Sequence, residues 1–81
     1  MQNFHILEVS YHGPTNSRGS RVRIHSSRFK QTIFIPYDYE WDTINEMATA
    51  HLIAHGFNVT GQGEGMDCNY LISDTFQPLK K

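Results

Sequence analysis

The sequence predicts a small single-domain α+β protein: an antiparallel sheet with one helix packed on it, in the order β-β-β-α-β-β. Three observations carry this. Residues 20–25 and 28–37 alternate apolar and polar side chains, the period of half-buried strands. Residues 42–56 combine a capping-box start, apolar residues three and four apart, and a closing glycine, which together specify one helix. Two further short runs follow, parted by the glycine-rich Gly61-Gln62-Gly63-Glu64-Gly65. With 81 residues the chain is expected to form one domain, 1–81, with a thin core.

Residues 3–11 (NFHILEVSY) read as the first strand. Phe4 and Ile6 share one face, and Leu7, Val9 and Tyr11 share the other. This change of phase predicts a strand covered on both sides or bulged. Gly13-Pro14 breaks it, and residues 12–19 are a loop of turn formers. In residues 20–25 Val22 and Ile24 face one way and Arg21, Arg23 and His25 the other. Ser26-Ser27 is read as a short turn, so that 28–37 forms the partner strand. In that strand Phe29, Ile33, Ile35 and Tyr37 share one face and Lys30, Thr32 and Phe34 the other. Pro36 has no N–H to donate and suits a strand end or an edge.

Thr43 and Glu46 fit the S/T-x-x-E capping box. Ile44, Met47, Ala48, His51, Leu52 and His55 recur at helical spacing, and Gly56 stands where a left-handed residue ends a helix. Residues 57–60 should be a strand, 61–65 a flexible turn, and 67–73 the returning strand with Cys68, Tyr70 and Ile72 on one face. Residues 74–81 are expected to be an extended tail, laid on the domain by Phe76 and Leu79.

The charges are segregated. Residues 9–36 hold Arg18, Arg21, Arg23, Arg28 and Lys30 and no acid. Residues 37–79 hold Asp38, Glu40, Asp42, Glu46, Glu64, Asp67 and Asp74 and no Lys or Arg. Such a split predicts either two charged poles or pairing across the fold. Arg21 and Arg23 would stand about 6.6 Å apart on one strand face, with Arg18 at the head and Arg28 and Lys30 returning alongside. The planar guanidinium binds phosphate or carboxylate through two parallel hydrogen bonds, so this ridge is a candidate contact for nucleic acid or an acidic protein surface. In the opposite pole, Tyr37 to Asp42, carboxylates alternate with aromatics. Extended, Asp38, Glu40 and Asp42 would mimic a line of phosphates, with Trp41 as an interface anchor. The plainer alternative has the aromatics covering the core while the acids favour the helix N-terminus.

Other chemistry is weakly supported. His51 and His55, four apart on a helix, present two imidazoles to one side, as a metal site needs. They lack the glutamate of a zinc-protease helix, and no cofactor is expected. The glycines at 61, 63 and 65 fall between two short strands, after the only predicted helix, and do not open a helix as a dinucleotide fingerprint must. Nothing in the sequence sets a base beside a nucleophile, so an enzyme is not expected. No apolar run approaches the ~20 residues of a membrane span. The N-terminal stretch does not have the pattern of a signal peptide, and the lone Cys68 makes no internal disulfide, which together predict a cytoplasmic setting.

The segment Tyr11-His12-Gly13-Pro14-Thr15-Asn16-Ser17-Arg18-Gly19-Ser20-Arg21-Val22 resembles one in small, mostly uncharacterised bacteriophage accessory proteins. Val59-Thr60-Gly61-Gln62-Gly63-Glu64 and Ser73-Asp74-Thr75-Phe76 are similar to that group as well. The resemblance implies a phage protein working in the bacterial cytoplasm. It also implies inhibition of host machinery such as a restriction or CRISPR complex, and it carries no active site. The expected function is therefore a non-enzymatic inhibitor of a host nucleoprotein or defence complex. Direct DNA or RNA binding through residues 18–30 is the alternative, and a metal site at His51 and His55 a distant third. A homodimer is compatible with so thin a core.

Overall fold

The computed structural model describes residues 4–14, 19–37, 40–66 and 68–79. The strands are β1 (His5–His12), β2 (Arg21–Ser26), β3 (Gln31–Pro36), β4 (Val59–Glu64) and β5 (Asn69–Ser73); α1 (Ile44–Ala54) lies between β3 and β4. The five strands form one sheet in the order β3-β2-β1-β5-β4, with every neighbouring pair antiparallel. The chain is thus the expected β-β-β-α-β-β sheet-and-helix fold. The helical connection carries it from the β3 edge to the β4 edge.

Alternation builds the core on one face. Leu7 and Val9 of β1 stand beside Ile24 of β2 and Leu71 of β5, and Val22 pairs with Ile35. These residues meet Met47, Ala48 and Leu52 of α1, and Phe57 just beyond it, in a single buried cluster. The helix lies over β1, β2, β4 and β5. It begins where the sequence predicts, with the Thr43 hydroxyl accepting from the Glu46 backbone N–H at 3.1 Å. It ends at Gly56, whose φ of 92° is in the left-handed region that favours glycine.

Four local expectations are corrected. First, β1 keeps one phase: His5, Leu7 and Val9 are buried while Ile6 faces out, 51% exposed. The sheet's irregularity lies in β4 instead, between Val59 and Gly61. Second, the β2–β3 turn takes four residues, 27–30, and not two. Ser26 pairs with Gln31, Lys30 adopts φ 53°, and the buried Ser26 hydroxyl accepts from the Phe29 N–H. Third, the glycine-rich segment is strand and not a flexible turn, because β4 runs on to Glu64. Gly61 pairs with Ile72 and Gly63 with Tyr70, and large cross-strand side chains cover what the glycines leave bare. The reversal falls at Gly65, whose N–H bonds the Cys68 carbonyl at 2.9 Å. Fourth, Cys68 precedes β5 and does not lie within it.

The tail has no regular structure through Leu79 but is anchored. Leu79 packs on the core, Gln77 Nε2 donates to the His55 carbonyl at 2.8 Å, and Phe76 stacks on His5.

Candidate partner-binding face

The helix lies on one side of the sheet, and no helix or strand among the described residues packs on the other. Because Val22 and Ile24 point to the core, Arg21, Arg23 and His25 must point away from it. Their cross-strand neighbours are His12, Ser10 and Glu8 on β1, and Pro36, Phe34 and Thr32 on β3. The open face therefore carries two arginines, two histidines and an aromatic ring at the β1–β2–β3 end. Glu8 is the one carboxylate at an outward register position among the described strand residues.

Phe34, 44% exposed, is the centre of this corner. The Arg21 guanidinium lies over its ring, 5.1 Å from the centroid, and His12 meets it edge-on at 5.5 Å. His25 Nδ1 and Thr32 Oγ1 are 2.6 Å apart. Arg21 Nε and Nη1 are shut off from solvent and have no hydrogen-bond partner. Among the described residues neither Arg21 nor Arg23 forms an ion pair. A cavity of about 310 Å³ opens beside the ring, lined by Gly19, Ser20, Arg21, Phe34, Ile35 and Pro36.

The other basic residues are elsewhere. Arg28 and Lys30 sit in the turn at the far end of the β2–β3 hairpin, beyond Ser26, which is itself five residues, or about 16 Å at strand rise, from Arg21. They do not return alongside Arg21 and Arg23, because the turn absorbs them. Arg28 instead covers the Phe76 ring at 4.6 Å. Arg18 lies outside the described residues, as does Asp38. Glu40, Trp41 and Asp42 occupy turn and bend conformations before α1, so they form no extended line of carboxylates. Glu40 and Trp41 border a groove of about 800 Å³ between the β3 edge and α1, floored by Ile35 and Met47 with His51 on its wall.

His51 and His55 stack, with ring centroids 4.3 Å apart. His55 Nδ1–H donates to the His51 carbonyl at 2.8 Å. Burial, and then the neighbouring His55, hold the His51 pKa below its ordinary value. Among the described residues no three His, Cys, Asp or Glu side chains gather as a metal site would need.

One constellation was not evident in the sequence. His5 is fully buried, with Nδ1 3.0 Å from the Thr75 carbonyl and Nε2 2.5 Å from the fully buried Ser26 hydroxyl. Since a carbonyl only accepts, Nδ1 carries the hydrogen and Nε2 accepts from Ser26. A base thus does stand beside a hydroxyl. Phe29, Phe57 and Phe76 surround the ring, however, and neither group reaches solvent. The pair clamps the tail and the β2–β3 turn to β1. Its sequence signal was the phase His5-Leu7-Val9.

Comparison with protein-family models, with characterised proteins and with solved structures gives no match, so the geometry of the open face carries the functional reading.

Proposed function

We propose that this chain is a non-enzymatic binding protein that docks on an anionic surface through the open face of its sheet, with Arg21 and Arg23 as the principal contacts. The observation that carries the reading is that these two arginines stand on the face opposite the helix and that no carboxylate among the described residues pairs with them. Holding cations together without a counter-charge is unfavourable for the free protein, and an anionic partner relieves it. The phage resemblance of residues 11–22 supports a host nucleoprotein or defence complex in the bacterial cytoplasm as the target, and inhibition by occlusion as the outcome. Among the described residues no helix is long and apolar enough to cross a membrane.

The test is affinity capture from bacterial lysate with the unaltered chain and with Arg21→Glu/Arg23→Glu. The double variant should lose the captured complex and keep its fold, because both side chains lie opposite the core. Retention of the complex by the variant would exclude the face as the contact.

A further inference from the structure

We infer that the corner of the open face around Phe34 takes single-stranded nucleic acid, one base entering the cavity beside the ring while backbone phosphates meet Arg21 and Arg23. This rests on the open face being the contact surface, and it names what that face touches within a nucleoprotein partner.

Arg21 is the first ground. Its guanidinium covers Phe34, yet Nε and Nη1 find neither water nor an acceptor. Buried donors without partners are costly. Nε together with one terminal nitrogen is also the fork that grips a phosphate with two parallel bonds. An arriving phosphate gives Arg21 a reason to swing off the ring. The swing satisfies both donors and uncovers an aromatic face in a single movement. Arg23, two residues along the strand and about 6.6 Å away, points to the same side and offers a second phosphate contact.

The cavity is the second ground. An apolar cavity of ~150 Å³ is enough to hold benzene, so about 310 Å³ beside Phe34 admits a planar nucleobase. The space is open on the Gly19 side, where a Cβ would meet nothing within 4 Å. Ser20, whose hydroxyl bonds the Tyr11 hydroxyl at 2.9 Å, supplies a polar edge. Base stacking on an aromatic side chain next to arginines is how sheet surfaces hold single strands, and it tolerates any sequence because every base has a π-face. A duplex keeps its bases stacked inside and cannot fill the cavity. An acidic protein surface would use the arginines and leave the cavity unused.

The experiment is fluorescence anisotropy of the intact chain with an oligothymidine strand of about twelve nucleotides, set against an abasic strand of equal length. The two probes share their phosphates and differ only in bases. The base-bearing strand should bind about tenfold more tightly. Phe34→Leu, and Gly19→Phe, which adds a ring at the cavity's edge without touching a charge, should each bring the two strands to equal affinity. Arg23→Gln should weaken both strands alike and reduce the dependence of affinity on salt between about 50 and about 200 mM. Equal affinity of the two strands for the unaltered chain, or no binding of either at low salt, overturns the inference. If oligonucleotides fail but lysate capture remains arginine-dependent after nuclease treatment, the face contacts protein, and the docking proposal survives its refinement. If capture is indifferent to the arginines, both fall.

Discussion

Removing the His5 ring would strike three aromatic contacts and leave the Thr75 carbonyl without its donor. His5→Ala is therefore expected to destabilise the fold by about 2–4 kcal/mol, read from urea unfolding, as large-to-small core changes and orphaned polar groups do. A loss below about 0.5 kcal/mol, the size of an ordinary surface effect, would show that His5 does not clamp the tail. Arg21 should behave oppositely. Arg21→Met removes two unsatisfied donors along with one cation–π contact, so it should change stability by less than about 1 kcal/mol in either direction. His51 sets a pH dependence. Its folded pKa is depressed, so the unfolded chain takes up the proton more readily. Its contribution to stability is full above the ordinary value of 6.5 and is lost as pH falls from there through the lowered folded value. The melting temperature should decline on acidification across that window, and His51→Gln should flatten the decline.

Among the elements, the β4–β5 hairpin gives the clearest contrast. A Cβ at Gly65 would lie 2.7 Å from Tyr70 Cε2 and 3.0 Å from the Cys68 carbonyl oxygen, and backbone cannot give way as a side chain can. At Gly63 a Cβ meets nothing within 4 Å. Gly65→Ala should cost about 1–3 kcal/mol, whereas Gly63→Ala should be neutral or slightly stabilising, since alanine restricts the unfolded chain. Equal effects in thermal melts would mean that the reversal does not fall at Gly65. The helix is simpler: Thr43→Ala should cost about 1 kcal/mol by removing the cap on Glu46 N–H. What was legible at this scale follows the same physics. Arg21-Val22-Arg23-Ile24 has period two, and Thr43 to Gly56 carries both caps, so sequence reading placed the outward arginines and the helix. Two glycines facing outward in β4 carry no periodic signal, and only the cross-strand partners Ile72 and Tyr70 reveal them as strand. The His5 clamp was hidden for a related reason: its partners lie 21 and 70 residues away in the chain.

The described residues form one sheet with one helix, and none of their elements shelters the sheet face opposite that helix. Two surfaces then compete for the role of partner site: the arginine face around Phe34, and the groove bordered by Glu40 and Trp41, which is 41% exposed. They share Ile35 and Pro36 of β3, but Arg21 lines only the first and Glu40 and Trp41 only the second, so substitutions at these residues separate them. The most direct measurement compares capture of the partner complex by Arg21→Glu/Arg23→Glu and by Glu40→Lys/Trp41→Ala, with both variants first shown to melt as the unaltered chain does. The account predicts loss of capture by the arginine variant and retention by the groove variant. Retention by the arginine variant with loss by the groove variant would contradict it.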